Sequence, residues 1–99
     1  MDEITINNIL YDYYGELLTK SERSHFEDYY FHNLTLAEIA LNHNLSRNAV
    51  HKAIKSAEKK LAYFEEKLKL SHKSNQIKKI LQDQNITDQE FMSKIEELI

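Results

Sequence analysis

The side chains with the clearest chemical use lie between residues 46 and 59, a stretch with no acidic residue before Glu58. They offer a hydroxyl, a guanidinium, an amide, an imidazole and three ammonium groups, from Ser46, Arg47, Asn48, His51, Lys52, Lys55 and Lys59. Arginine suits the edge of guanine, asparagine suits adenine, and lysine suits phosphate oxygens. These residue types predict a surface that binds nucleic acid.

Residues 36–55 fit a helix-turn-helix, which would place these side chains on one face of its second helix. Ala40 is small enough for two helix backbones to cross, Asn44 can adopt the left-handed turn conformation, and Leu45 is expected to fill the corner. Ser46 would cap the second helix. The core side of that helix is formed by Val50 and Ile54. The pattern departs from the usual one where Asn44 replaces a glycine and where His43 replaces an apolar residue.

Capping signals divide the rest of the chain into further helices. Capping boxes of the form Thr-x-x-Glu begin at Thr19, Thr35 and Thr87, and Ser46 is a cap without the glutamate. The chain has no proline and a single glycine, Gly15, which favours helices over sheets. The spacing of apolar residues then predicts six helices, at about 4–18, 20–31, 36–42, 47–70, 71–84 and 88–99.

We therefore expect an all-α fold that forms one helix-turn-helix domain over residues 1–99. The helix-turn-helix, residues 36–55, would belong to a tri-helical core of the winged-helix or sigma-region-four kind, and two N-terminal helices would precede it in the chain. The fourth helix, at roughly 24 residues, would be about 36 Å long, so its far end must find a partner beyond that core. A pair of C-terminal helices, residues 71–99, completes the chain.

The residue types that catalysis or a metal site would need are absent or scattered. The chain has no cysteine, which excludes disulfides, thiolate zinc sites and a cysteine nucleophile. One glycine cannot form a glycine-rich phosphate loop. No two of the five histidines have the i, i+4 spacing of a helical zinc site; they are His25, His32, His43, His51 and His72. We expect a protein that is not an enzyme and has no cofactor or bound metal.

The charge is unevenly distributed, although the formal net charge is only -3. Residues 46–79 contain ten basic and three acidic residues, whereas residues 1–45 contain two basic and eight acidic residues. This pattern allows an anionic partner on one face, or the basic and acidic zones partly neutralise each other. No apolar run approaches the roughly 18 residues that cross a bilayer, and the acidic start does not resemble a signal peptide. We expect a cytoplasmic protein.

Aromatic residues are concentrated in the first two predicted helices, at Tyr11, Tyr13, Tyr14, Phe26, Tyr29, Tyr30 and Phe31. We expect most of them in the core. They outnumber what one small face can bury, so Tyr11 or Phe31 could lie at an interface. With the long fourth helix and the apolar last helix, this favours a homodimer. The alternative is a monomer whose last helix folds back.

Two blocks of this sequence resemble the YlxM family. One is Leu34–Ala40 followed by Leu45–Lys55, and the other is Leu10–Thr19 with Tyr29 and Tyr30 after it. The resemblance covers nearly the whole chain and is weakest after Ser71. It implies a small bacterial protein similar to region four of sigma factors. Genes of that family lie beside those for the GTPase of the signal recognition particle or its receptor, which implies a regulatory role in co-translational targeting.

The sequence is compatible with three functions. The first is a nucleic-acid-binding regulator of the signal recognition particle pathway, acting through the particle's RNA or its GTPase. The second is a DNA-binding transcription regulator, which predicts a preference for duplex DNA and loss of binding in Arg47→Ala. The third is an adaptor that binds the GTPase without nucleic acid, which predicts no response to Lys52→Glu. The acidic net charge slightly favours the adaptor.

Overall fold

The computed structural model describes residues 2–99, and in this range the secondary structure is entirely helical. The elements are α1 (Glu3–Tyr14), a 3-10 turn (Gly15–Leu17), α2 (Lys20–Tyr30), α3 (Leu36–His43), α4 (Arg47–Leu68), α5 (Leu70–Gln82) and α6 (Asp88–Leu98). The all-α prediction is confirmed. The chain divides into two compact units, of which the first ends at Leu68 and the second is Lys69–Ile99.

Local hydrogen bonds explain where most helices begin. The Thr19 and Thr35 hydroxyls accept the backbone N–H of Glu22 and Glu38, and both glutamates bond back to the threonine N–H. Thr87 accepts the N–H of Glu90 without that return bond, so the third predicted capping box is only half formed. These caps stabilise each helix end by about 1 kcal/mol.

The first helix is shorter than its apolar pattern predicts. It ends at Tyr14 and gives way to the 3-10 turn, instead of continuing to Leu18. A Cβ on Gly15 would lie 2.8–3.0 Å from three ring atoms of Tyr11, so the chain packs tightly against that ring at this point. Leu18 then has extended backbone and still reaches the core.

The first unit has two adjoining apolar clusters. One joins α1, α2 and the second half of α4, through Leu10, Tyr14, Leu18, Phe26, Ala57 and Leu61. The other joins α3 to the first half of α4, through Ile39, Ala40, Val50 and Ile54. Tyr30 packs against both clusters. Helix α4 therefore packs against α1, α2 and α3 through one continuous buried stripe.

Most of the predicted helix-turn-helix geometry is present. Ala40 is buried, and its carbonyl accepts the N–H groups of Asn44 and Leu45. Asn44 adopts the left-handed conformation, with φ of 55°. The prediction that Leu45 fills the corner is wrong, because Leu45 is 45% exposed. The cluster behind the turn is covered instead by Tyr30, Leu34 and Leu36.

Polar contacts tie α4 to the N-terminal helices. Lys60 Nζ donates to Glu22 Oε1 at 2.9 Å, and Ser56 Oγ donates to Glu22 Oε2 at 2.9 Å. The Tyr30 hydroxyl donates to Glu58 and accepts from Asn7 Nδ2 at 3.0 Å. Burial and the Glu58 carboxylate raise the pKa of Tyr30, so this hydroxyl keeps its proton. These bonds fix the rotation of α4 about its axis.

The aromatic residues are divided between core and surface. Tyr14 and Phe26 are fully buried, and Tyr11 stacks on Phe26 with ring centroids 4.7 Å apart. Of the two aromatics expected at an interface, Tyr11 packs against the first cluster, whereas Phe31 is exposed.

The second unit consists of α5 and α6, which contact each other. None of its described residues is buried, and its half-buried apolar residues include Ile80, Phe91, Ile95 and Leu98. Lys69, with φ of 55°, separates α4 from α5. The sequence predicted α4 to continue to residue 70, and the left-handed Lys69 ends it at Leu68 because that conformation does not continue a right-handed helix.

Candidate nucleic-acid interface

Helix α4 has a buried face and a basic face. At about 100° per residue, its buried Val50, Ile54, Ala57 and Leu61 occupy an arc of about 60°. Its six predicted contact residues occupy an arc of about 140° centred on Lys55, and all six are exposed: Arg47, Asn48, His51, Lys52, Lys55 and Lys59. The buried stripe thus forces the predicted contact residues outward.

The hydroxyl of Ser46 serves the helix. Ser46 Oγ accepts the N–H of Ala49 at 3.0 Å, as expected of an N-cap. The N–H groups of Arg47 and Asn48 lie at the same exposed helix end, where an anion is favoured by the helix dipole. Ser46 therefore caps α4, and Arg47 and Asn48 lie in the first turn of the helix, at the N-terminal end of its basic face.

Acidic residues engage some of the basic side chains on α4. Lys55 Nζ lies 3.2 Å from Glu58 Oε1, and this carboxylate raises the pKa of Lys55. In the part of the chain that the structure describes, Arg47, Lys52 and Lys59 take part in no ion pair. Among the predicted contact residues, these three cations are therefore the most available to an external anion.

A shallow groove follows the exposed side of α4. It is lined by His51, Lys52, Lys55, Ser56, Lys59, Lys60 and Tyr63. Lys60 forms one wall of this groove although its ammonium bonds Glu22, and the sequence analysis did not single it out. The groove offers ammonium groups and an imidazole to a phosphate backbone, with the aromatic ring of Tyr63 at one end.

The structure also brings together residues that the sequence analysis had set aside. His25, Asp28 and His43 form a cluster on α2 and the end of α3. Burial lowers the pKa of His25, and neighbouring His43 lowers it further. Burial would raise the pKa of Asp28, but hydrogen bonds with His43 and His32 bring it below its usual range. Spacing within one helix could not reveal this cluster, because its members come from two helices.

Comparison with known proteins gives the family. The family model UPF0122, described as "Putative helix-turn-helix protein, YlxM / p13 like", matches residues 1–98. The chain belongs to this family. The resemblance to YlxM proteins is thereby confirmed. The description of UPF0122 names a helix-turn-helix and no enzymatic activity.

Relatives in several bacteria match most of the chain. A UPF0122 protein of Malacoplasma penetrans is 41% identical over 103 residues, covering 99% of this chain and 96% of the relative. One from Desulforamulus reducens is 46% identical over 81 residues, covering 82% of this chain and 69% of the relative. One from Halalkalibacterium halodurans is 36% identical over 104 residues, covering 99% and 95%.

In residues 2–99, no helix combines the length and the apolar character that crossing a membrane requires.

Proposed function

We propose that this UPF0122 protein binds nucleic acid through the exposed face of α4 and regulates the signal recognition particle pathway. The observation that supports this most directly is that α4 has both a buried apolar face and an exposed basic face. A buried apolar stripe fixes the helix in the core, and the basic residues occupy the exposed side. Membership of a helix-turn-helix family supports the same proposal.

The proposed contacts divide by chemistry. Lys52 and Lys59 neutralise phosphates, because their ammonium groups are exposed and form no ion pair among the described residues. Arg47 and Asn48 at the start of α4 are placed to contact base edges, as the N-terminal residues of a recognition helix do. Lys55 contributes less, because Glu58 already engages its ammonium.

The targeting role rests on the resemblance to YlxM proteins rather than on the shape of α4. It makes the RNA of the particle the expected ligand, with the particle's GTPase or its receptor as a second partner. A transcription regulator of the same fold would instead prefer duplex DNA. The two proposals therefore differ in the ligand that α4 binds most tightly.

Fluorescence anisotropy with labelled particle RNA and labelled duplex DNA separates these functions. We expect the RNA to bind more tightly, with log K falling against log[salt] at a slope that corresponds to about four to six phosphate contacts. Tighter binding of duplex DNA would favour the transcription regulator. If folded protein binds neither ligand at low salt, the proposal of nucleic-acid binding is wrong.

The adaptor function is tested with the same protein. An adaptor binds the GTPase in a pull-down, and Lys52→Glu leaves that binding unchanged. The nucleic-acid proposal expects Lys52→Glu to weaken RNA binding. Both measurements on one variant thus separate the adaptor from the nucleic-acid-binding regulator.

A further inference from the structure

A histidine cluster lies on the first unit, between α2 and the end of α3. A ring nitrogen of His25, a ring nitrogen of His43 and an oxygen of Asp28 all lie within 4.8 Å of one another. Of these atoms, His43 Nε2 and Asp28 Oδ2 lie 3.1 Å apart. The rings of His25 and His43 meet edge to face, with centroids 4.7 Å apart. Two imidazoles and a carboxylate therefore converge on one small volume.

The buried member of the cluster lacks a partner. His25 is only 3% exposed, and its Nδ1 is buried with no hydrogen-bond partner in residues 2–99. A buried polar atom without a partner is uncommon in a folded protein and calls for an explanation. A cation coordinated by Nδ1 would supply one, because it would take the lone pair of a neutral ring.

We propose that His25, Asp28 and His43 bind a divalent first-row transition-metal ion, with Zn²⁺ as the best match. Two neutral imidazoles and a carboxylate are typical zinc ligands, and water would complete the coordination. Ligand atoms around a tetrahedral zinc ion are roughly 3.3 Å apart, given metal–ligand distances of about 2.0–2.1 Å. His43 and Asp28 are already close to this separation, and the ligand atom of His25 lies within 4.8 Å of both, so modest side-chain shifts would complete the site.

Neighbouring residues support such a site. His32 Nδ1 lies 3.1 Å from Asp28 Oδ1, which would hold the carboxylate while its other oxygen faces the ion. The side chains of His43 and Asp28 are 34% and 19% exposed, which gives an ion a path from solvent. A bound ion would join α2 to the end of α3, next to the Asn44 turn. It would therefore brace the helix-turn-helix without contacting the basic face of α4.

The test uses full-length protein freed of metal with a chelator and titrated with Zn²⁺ by calorimetry. We expect one Zn²⁺ per chain, together with a rise in Tm of at least about 5 °C at saturating metal. Co²⁺ in place of Zn²⁺ should give visible absorption from a site of nitrogen and oxygen ligands. Because nucleic-acid binding is not part of this readout, the metal site and the proposed function can fail independently.

Variants assign the binding to the cluster. Asp28→Asn and His43→Gln alter half-buried or exposed side chains, and each should weaken Zn²⁺ binding by at least about tenfold. His72→Gln is the matched control, since it removes an exposed histidine from the second unit and should leave binding unchanged. Absence of stoichiometric binding to folded wild-type protein would overturn the proposal. So would equal affinities in wild type and His43→Gln.

Discussion

The single glycine of the chain accommodates one aromatic ring. Tyr11 stacks on Phe26 and donates its hydroxyl to the carboxylate of Glu27, so its ring is held on two sides. Gly15 lies directly against this ring. The backbone of Gly15 has φ of -56°, which any residue can adopt, so the need for glycine comes from space and not from backbone conformation.

Gly15→Ala is therefore expected to destabilise the protein by about 1–3 kcal/mol, because the new methyl group would overlap the Tyr11 ring. Urea unfolding of the wild type, Gly15→Ala, Tyr11→Leu and the double variant measures this coupling. In the Tyr11→Leu background, Gly15→Ala should cost little, since the ring is gone. An unchanged or raised stability of Gly15→Ala in the wild-type background would contradict this interpretation.

A second residue, Glu22, connects the N-terminal helices to α4 electrostatically. Burial alone would raise its pKa, but hydrogen bonds from Lys60, from the Thr19 backbone and from Ser56 outweigh that effect and lower the pKa to about 2. The pKa of Glu22 in the folded protein is thus below the unfolded value of about 4.3. The stability that Glu22 provides is present above that value and is lost as the pH falls through about 2.

We expect Glu22→Gln to lower the free energy of unfolding by roughly 2 kcal/mol at pH 7, because it removes a charged acceptor from four hydrogen bonds. The difference from wild type should shrink as the pH falls from about 4.3 towards 2. Denaturant unfolding at pH 7, 4 and 2.5 measures it. Glu16→Gln, at an exposed position, is the control and should stay close to wild type. A difference that is independent of pH would contradict the assigned pKa.

At the scale of elements, the sequence predicted the number and order of the helices because their signals are local. Threonine caps and the spacing of apolar residues act within one or two turns, and they located α2, α3 and the start of α4 to within about one residue. The end of α1 lies where Gly15 packs against the ring of Tyr11, one turn earlier in the helix. The end of α4 depends on the left-handed conformation of Lys69. The sequence did not predict it, because position 69 is neither glycine nor asparagine.

The two units differ in how much apolar surface they bury. The first has fully buried residues on α1, α2, α3 and α4, whereas no described residue of Lys69–Ile99 is buried. Several apolar side chains of the second unit are well exposed, among them Leu81 at 65% and Met92 at 58%. A pair of helices without a buried core opens at little cost in free energy.

Native-state hydrogen exchange should therefore show amides of α5 and α6 exchanging at least about 100-fold faster than those of Ile54–Leu61 in α4. Mass spectrometry after partial labelling compares both regions in one sample, so α4 is the internal control. Equal protection in both regions would contradict the expectation. It would show that residues 1–99 unfold as the single domain that the sequence predicted.

At the scale of the whole molecule, the positions of the candidate-interface residues could be predicted from the sequence. The contacts that their side chains make could not. Six of the seven residues lie on α4, whose buried stripe the sequence pattern shows, so their exposed positions followed from geometry. The pairing of Lys55 with Glu58 and the capping role of Ser46 became visible only with the structure. The cluster of His25, Asp28 and His43 depends on how α2 packs against α3, which no spacing along the chain encodes.

The homodimer expected from the sequence stays a prediction about the assembled molecule. The exposed Phe31 and the apolar side chains of the second unit are compatible with it. Light scattering coupled to size exclusion measures the mass directly against the 11.8 kDa of one chain.

We propose that the basic face of α4 binds nucleic acid, and one pair of variants decides whether it does. Lys52→Glu with Lys59→Glu reverses two charges on α4 that form no ion pair within residues 2–99, and Lys78→Glu with Lys79→Glu makes the same change on exposed positions of α5. Anisotropy with particle RNA at constant salt compares both variants with wild type. We predict that the α4 variant loses at least about tenfold in affinity with a salt slope shallower by about 2, while the α5 variant stays within about twofold. Equal losses in both variants, or none in either, would contradict the claim.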